Sequence, residues 1–194
     1  MLNDRSSALS LLATRRSGKP AAMAGPGPTP EELDRILSIA TRTPDHGKLA
    51  PWRFVIVGEE QRDALAALLG EALAAEEPEA GAARRAKEDA FAHYAGALVV
   101  LVSSPTQGHK IPVWEQELSC GAAGMNLLLA AHAFGYVAGW VTGWRAYSPR
   151  VAHAFCEPGE RIAGFVFIGQ PGSPLEERPR PSLDEVVCKW TPPL

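Results

Sequence analysis

The chain has 194 residues, of which 46% are hydrophobic and 21% are charged, so it can bury a core and is too apolar for an intrinsically disordered protein. Its 19 Lys and Arg residues against 22 Asp and Glu residues give a net charge of −3, which leaves no broad basic surface for nucleic acid or an anionic membrane. We therefore expect a single domain over residues 1–194 that binds neither.

The first quarter of the chain predicts two helices joined by a linker. Three leucines favour a helix over residues 5–16, which ends at Arg15-Arg16-Ser17-Gly18 because glycine is a common helix terminator. After a Pro/Gly-rich linker at 18–28, the residues Thr29-Pro30-Glu31-Glu32 combine a helix N-cap with a capping box. A proline ends this second helix and leaves a polar loop at 43–51.

The rest of the chain predicts helices and buried strands in alternation. Short runs rich in β-branched residues predict strands, and apolar residues at helical spacing predict helices. In chain order these are a strand at 54–57, helices at 60–75 and 83–93, a strand at 97–102, a helix at 112–134, a strand at 138–141, a short helix after Pro149 and a strand at 164–168. Residues 170–194 hold six of the 17 prolines, so this tail is either disordered or extended across another surface.

The stretch between Glu117 and Arg145 contains no Asp, Glu, Lys or Arg and is long enough to resemble a membrane span. Gly135 would end a helix there before it crossed a membrane comfortably, so a buried helix followed by a buried strand explains the stretch better. His132 is expected to be a hydrogen-bonded core histidine. The small residues Gly121-Ala-Ala-Gly124 lie inside the helix and should permit close contact with another helix.

Three cysteines, Cys120, Cys156 and Cys188, are widely spaced and form no C-x-x-C motif. This pattern is typical neither of a secreted disulfide framework nor of a structural zinc site. The N-terminus lacks the features of a secretory signal, so we expect a mature chain that begins near Met1 and a cytoplasmic location.

Several common catalytic motifs do not occur in the sequence. There is no G-x-S-x-G elbow, no G-x-x-x-x-G-K-[ST] phosphate loop and no H-E-x-x-H helix. The five histidines are scattered and none pairs with another at i, i+4, so no helix-borne metal site is predicted.

Three polar clusters interrupt the apolar elements: Arg15-Arg16-Ser17-x-Lys19, Arg42-Thr43-Pro44-Asp45-His46 and Trp140-Val141-Thr142-Gly143. Each cluster alone is most simply a solvated loop or helix end. Together they supply a bidentate fork for phosphate, hydroxyl groups and turn amides near strand ends. These are the groups that a phosphorylated planar cofactor needs.

The same motifs resemble the nitroreductase flavoproteins, above all the shortest members. The resemblance lies in Arg15-Arg16-Ser17 after an N-terminal helix, in the stretch from Thr43 to Phe54, and in Trp114 to Gly135. It implies an α+β fold, with a central mostly antiparallel sheet surrounded by helices, in an intertwined homodimer. It further implies two FMN sites between the subunits and a C-terminal extension at 170–194 that crosses to the partner.

The resemblance also implies roles for single residues around the phosphate. Arg15 and Arg16 match the family's phosphate-binding position, with Ser17 alongside. Lys19 would lie near the pyrimidine edge of the flavin, where a cation stabilises the anionic reduced ring. Arg180 resembles a tail arginine that closes over the phosphate in larger relatives.

Further matches surround the flavin ring. Arg42 and His46 match positions that reach the flavin from the other subunit, although the family commonly has a hydroxyl residue in place of His46. The backbone of Trp140, Val141 and Thr142 would face the isoalloxazine, and Gly143 would permit its close approach. The helix face expected to bury against the partner contains Gly121, Gly124, Met125 and Leu128.

The chemistry that the resemblance implies is carried by the flavin. NADH or NADPH would give a hydride to N5, and a nitroaromatic, quinone or other conjugated acceptor would then take it in a ping-pong cycle. That scheme requires no catalytic side chain, and we assign none. Two alternatives stay open: a flavin-dependent reductase or dehydrogenase of one specific metabolite, and a flavin-binding dimer without catalytic turnover.

Overall fold

A computed structural model describes residues 1–193 of the chain. The helices in this range are α1 (Ala8–Thr14), α2 (Pro30–Ala40), α3 (Arg62–Glu76), α4 (Ala82–Ala92), α5 (Val113–Phe134), α6 (Trp144–Tyr147), α7 (Pro149–Phe155) and α8 (Leu183–Val186). The strands are β1 (Met23–Ala24), β2 (Trp52–Val57), β3 (Ala97–Ser103), β4 (Val137–Val141) and β5 (Arg161–Pro171). Short 3₁₀ turns occupy Pro20–Ala22 and Glu59–Gln61.

The five strands form one sheet organised around β5. This strand pairs with β3 over residues 161–168, with β4 over residues 165–169 and with β1 at residues 170–171, and β2 pairs with β3. Every pairing between the described strands is antiparallel. The expected α+β class with a mostly antiparallel sheet is therefore confirmed.

Helices cover both faces of this sheet because side chains along β5 alternate between the faces. Phe165 and Phe167 are fully buried in a core cluster that includes residues of α3 and α4. Val166 and Ile168 point into a second cluster formed with α2 and α5. The sheet is thus the middle layer of the molecule, and α5 is one of the helices packed against it.

Local sequence signals set several helix ends as expected. Thr29 accepts a hydrogen bond from the backbone of Glu32, and the Glu32 carboxylate accepts one from the Thr29 N–H, which completes the predicted capping box. Gly135 ends α5 in the left-handed conformation, with φ of 101°, where a side chain would be strained. Within residues 1–193, no helix is long and apolar enough to cross a membrane.

The first helix is shorter than predicted. It spans Ala8–Thr14, so Arg15 and Arg16 follow it as extended chain instead of forming its last turn. Of its leucines only Leu11 is buried, whereas Leu9 and Leu12 are exposed. A one-sided contact explains this, since a two-turn helix on the surface needs only one apolar anchor.

The role predicted for Gly124 is wrong. A side chain there would collide with the Trp140 ring and with Leu101 of the same chain, so Gly124 admits the indole of β4 and not another helix. Leu128 is likewise buried in the chain's own core. The face of α5 left open in a single chain therefore carries Gly121 and Met125 but not Gly124 and Leu128.

The C-terminal tail begins later than predicted, because β5 continues to Pro171. Its first part lies on the chain's own N-terminal segment: the Gly172 N–H donates to the Ala22 carbonyl at 3.0 Å, and Leu175 packs at the edge of the core. Residues 181–193 are exposed throughout, including α8. A crossing of this outer part to a partner subunit stays a prediction.

Candidate functional site

The segment Arg15–Lys19 is held in place through its backbone. Asn3 donates from its side-chain amide to the Arg16 carbonyl at 3.0 Å and accepts from the Arg16 N–H at 2.7 Å. The Gly18 N–H donates to the Ala138 carbonyl at 3.1 Å, beside the start of β4. The segment therefore runs next to the start of β4, and Arg16 and Gly18 are held through their backbones.

Arg15 has the properties of an anion ligand. Its Nη1 donates to Ser17 Oγ at 3.0 Å, and no carboxylate pairs with its guanidinium within the described residues. Burial lowers the pKa of Arg15, and the nearby charges of Arg180 and Arg16 lower it further. A half-buried guanidinium crowded by two others is a favourable site for a phosphate, which would relieve the repulsion.

Arg16 is turned towards the tail. It is only 7% exposed, and its Nε donates to the Glu176 carbonyl at 2.6 Å. The Glu176 carboxylate lies 3.4 Å from Lys19 Nζ, so one tail residue holds two of the predicted site residues.

Arg180 completes the same cluster from the other side. Its Nη2 lies 3.5 Å from the Arg15 carbonyl and 3.1 Å from a Glu177 carboxylate oxygen. The structure thus brings together five of the predicted residues, which we call the cationic cluster: Arg15, Arg16, Ser17, Lys19 and Arg180.

The loop that carries Arg42 is fixed by polar side chains of α5. Asn126 Nδ2 donates to the Arg42 carbonyl at 2.9 Å and to Thr43 Oγ1 at 2.8 Å. Seven residues before Asn126 in the same helix, Ser119 Oγ donates to the Pro44 carbonyl at 2.5 Å. The Arg42 side chain itself is exposed.

His46 is tied to the first turn of the same helix. Its Nδ1 lies 2.8 Å from Glu115 Oε2, and its ring is largely exposed. Glu115, Ser119 and Asn126 share one face of α5 because they are spaced by four and seven residues. This face is therefore a polar clamp on the loop at 42–46, and we call these three residues the α5 clamp.

A single chain keeps His46 and the cationic cluster apart. His46 contacts the start of α5, whereas Arg15 lies near His132 at the end of that helix, where burial and then the charge of Arg15 lower the pKa of the histidine. Glu115 and His132 are 17 residues apart, which corresponds to about 25 Å along a helix axis. Arg42 lies between the two, beside Asn126.

The third cluster lies where β4 ends. Gly143 has φ of 69° and ψ of −169°, a conformation that is essentially restricted to glycine. The Trp140 indole is not part of an open site: it fits between Gly124 and Gly164 and donates to the Ala163 carbonyl at 3.0 Å. Val141 and Thr142 are half-buried, and Val141 is the last residue of β4 to pair with β5.

His132 is buried in the core as expected, but only one of its two ring nitrogens has a hydrogen-bond partner among the described residues. It is fully buried, its Nδ1 lies 3.1 Å from the Tyr136 carbonyl oxygen, and burial lowers its pKa. The ring is therefore neutral near pH 7 and anchors the turn after α5.

Several supporting residues escape sequence reasoning. Asn3 and Glu176 hold the cationic cluster, yet each is remote in sequence from the residues that it contacts. Ser119 and Asn126 could have been found from the sequence, because they are polar side chains in a largely apolar stretch without charged residues. Buried polar groups need partners, and here the partner is the loop at 42–46.

Comparisons with known proteins give a consistent result. The model of the nitroreductase family matches residues 12–170. The Escherichia coli K12 protein named "Putative NAD(P)H nitroreductase YdjA" is 36% identical over 165 residues, which cover 84% of this chain and 88% of that protein. A Haemophilus influenzae protein named "Putative NAD(P)H nitroreductase" is 38% identical, covering 84% and 87%.

Solved structures share the fold. A nitroreductase-like family protein from Bacillus cereus superposes with a TM-score of 0.80 at 22% identity, covering 95% of this chain and 96% of that one. A Desulfovibrio desulfuricans protein, described as a "putative nitroreductase in complex with fmn", gives 0.70 at 19% identity, covering 95% and 97%. At these identities the likeness establishes the fold alone.

Proposed function

The chain belongs to the nitroreductase family, and on that premise we propose that it is an FMN-dependent NAD(P)H oxidoreductase that works as a homodimer in the cytoplasm. The single observation that carries the proposal is the cationic cluster, in which Arg15 lacks a carboxylate partner among the described residues. The names of the relatives support the nicotinamide donor, and the FMN complex of a structural neighbour supports the flavin.

The residues present fit the phosphate of FMN. Arg15 and Ser17 offer N–H and O–H groups on one side, and Arg180 offers a second guanidinium from the tail. Burial and the neighbouring guanidinium groups lower the pKa of Arg15, and this crowding of positive charge favours a dianion between the groups. In this proposal Arg16 anchors the tail as well as adding charge.

FMN bound here would supply two-electron chemistry, with NADH or NADPH as hydride donor and a nitroaromatic, quinone or similar compound as acceptor in a ping-pong cycle. The chain's own residues bind and orient. Lys19 places a cation for the pyrimidine edge, the backbone from Val141 to Gly143 approaches the ring, and glycine at 143 keeps that approach free of a side chain. No residue is assigned as a proton donor or nucleophile.

A second copy of the chain is part of the proposal. One face of α5 exposes Trp114, Leu118 and Met125, with 68%, 54% and 36% exposure, and Gly121 on that face has open space above it. A row of exposed apolar groups on a helix otherwise packed in the core favours an interface. The tail contributes further apolar residues that lack cover in one chain, namely Leu183, Val186, Val187 and Trp190.

Dimerisation would also complete the site. Arg42 and His46 are held on the outside of α5 by the α5 clamp, with His46 away from the cationic cluster of its own chain. A partner packed on α5 would bring its own cluster towards this loop. We propose that each flavin is bound by the cationic cluster of one subunit and by Arg42 and His46 of the other.

The absorption spectrum of the purified protein tests the proposal directly. Flavin bands, together with one FMN per chain after reconstitution, are expected, followed by NADH or NADPH oxidation that depends on a nitroaromatic or quinone. A protein that rejects FMN contradicts the proposal. Flavin binding without turnover favours the non-catalytic dimer, and turnover restricted to one metabolite favours the specific reductase or dehydrogenase.

A further inference from the structure

A pair of opposite charges is buried beneath the segment at 141–143. Glu88 of α4 is 2% exposed and Arg145 of α6 is 8% exposed, and the two form an ion pair. Burial lowers the pKa of Arg145 to about 10, so the guanidinium remains charged near neutral pH. Arg84 contacts Glu88 as well, and it also pairs with Glu77 at 3.2 Å.

The helix that carries Arg145 depends on such contacts. Helix α6 has only four residues, which is too short to be stable by itself. Trp144 Nε1 donates to Glu76 at 3.0 Å, and Ser148 Oγ donates to the other oxygen of the same carboxylate at 2.7 Å. The Arg145 guanidinium also lies 3.6 Å from the centre of the Phe91 ring.

These contacts act directly next to Gly143. The Arg145 Nη1 atom lies 3.7 Å from the position that a Cβ on Gly143 would occupy. Gly143 is the N-cap of α6 and has a backbone conformation restricted to glycine. The position of α6 therefore fixes where the chain leaves β4 through Thr142 and Gly143.

Stability alone is a poor explanation for the pair. Replacing a buried ion pair by apolar residues of similar volume is often neutral or stabilising. Separating one partner from a buried charge is costly, however, so the contact between Arg145 and Glu88 favours one arrangement of α4 and α6. The pair lies between α4 and α6, the helix that directly follows the segment at 141–143.

We propose that Arg145 and Glu88 are positioning residues, which hold the backbone from Val141 to Gly143 at the distance and orientation that the flavin ring requires. This inference rests on the proposed function, because it assumes that FMN lies against that segment. Neither residue touches the flavin; both act through α6.

The test replaces the pair by apolar residues in the full-length dimer, as Arg145→Met/Glu88→Leu. Arg84 keeps Glu77 as a partner in this variant. We expect a Tm close to that of the wild type, an FMN dissociation constant about tenfold higher, as is common when a group supporting a ligand contact is lost, and a shifted midpoint potential of the bound FMN. A retained Tm with unchanged affinity and potential would overturn the inference.

A matched control uses the other Arg–Glu pair with a buried carboxylate. Arg53 and Glu160 join β2 to the start of β5 with an N–O distance of 2.5 Å, and Arg53→Met/Glu160→Leu removes them in the same way. This control should leave FMN affinity and potential unchanged. An equal effect of both double variants would overturn the positioning role, because any lost ion pair would then suffice.

A milder variant decides the matter if the double variant fails to fold. Trp144→Phe removes the indole N–H that binds Glu76 and shortens a ring that lies beneath Arg84. A weaker effect on FMN affinity and potential in the same direction supports the inference, whereas no effect overturns it. Wild-type protein that binds no FMN overturns the proposed function and this inference together. Wild-type binding combined with unaffected variants overturns the inference alone.

Discussion

Asn126 Nδ2 lies 2.9 Å from the Arg42 carbonyl oxygen and 2.8 Å from Thr43 Oγ1, across 84 and 83 positions of sequence. One amide of α5 therefore fixes both residues at the start of the loop at 42–46. Because this loop is proposed to reach the flavin of the other subunit, the contact connects the interior helix of one chain to the cofactor of its partner.

Asn126→Ala should weaken FMN binding with little loss of overall stability. Removing the amide frees the loop, and the loss of such hydrogen bonds typically costs about 1 kcal/mol, or roughly fivefold in the dissociation constant. FMN titration followed by fluorescence measures this. Gln116→Ala is the control, since that amide in the same helix binds Thr106 and Ile111 instead; equal weakening in both variants would contradict the role of the loop.

Arg15→Ala should reduce FMN affinity more than it changes turnover of the fully loaded enzyme, because the phosphate is remote from the reacting ring. Loss of a charge-assisted contact costs about 1.5–3 kcal/mol. Arg16→Ala should also weaken FMN binding, and it should lower Tm because Arg16 Nε holds the tail at Glu176.

Titrations and melting curves separate these effects. Arg178→Ala serves as the control, since this arginine is exposed and close in sequence to the cluster. Unchanged FMN affinity in both Arg15→Ala and Arg16→Ala would contradict the phosphate-binding role of these two arginines.

Leu118→Glu should disrupt the dimer, because Leu118 is 54% exposed on the open face of α5 and a charge there would be buried by a partner. Sedimentation should show a dimer for the wild type and a shift towards monomer for the variant, with weaker FMN binding. Ile56→Glu introduces the same charge at an exposed apolar site on β2 and should remain dimeric. A wild-type monomer that holds FMN at low micromolar concentration would refute the shared site.

Subunit mixing tests the trans arrangement. A subunit with Arg15→Ala/Arg16→Ala is combined with one carrying Arg42→Ala/His46→Ala. If each flavin uses both chains, one site of the heterodimer collects all four substitutions and the other none, so about half of the wild-type activity per dimer is expected. Activity no higher than that of either parent, after exchange is verified by mass, would indicate a site within one subunit.

Glu160 should govern part of the acid stability. The hydrogen bond from Arg53 lowers the pKa of Glu160 to about 2, below its ordinary value near 4.5. A carboxyl with a depressed folded-state pKa stabilises the fold above the unfolded pKa and loses that contribution as the pH falls towards 2. Tm measured from pH 6 to pH 2 should fall less steeply for Glu160→Gln than for the wild type; parallel curves would contradict this assignment.

Local chemistry made some features predictable. The capping box at Thr29 and the end of α5 at Gly135 depend on residues within one turn of each other, so both can be predicted from the local sequence. The cationic cluster was partly predictable for a related reason, since three of its members lie within Arg15–Ser17.

Contacts between distant segments were not predictable in this way. Gly124 is excluded from the open face of α5 because the Trp140 ring packs against it. The residues near Gly124 in the sequence do not predict this contact. The contact between Arg16 and Glu176 joins residues 160 positions apart. Such pairings depend on how the strands assemble, which single-sequence patterns leave open.

The central strand of the sheet, β5, is also the last of the strands within residues 1–193. Because β5 pairs with β1, β3 and β4, these three strands cannot complete their pairing until residues 161–171 have left the ribosome. The cationic cluster forms later still, because Glu176 and Arg180 follow β5 in the chain. Biosynthesis thus imposes an order on this protein: residues 161–171 must be made before the sheet closes, and the cationic cluster is complete only after Glu176 and Arg180 have been made.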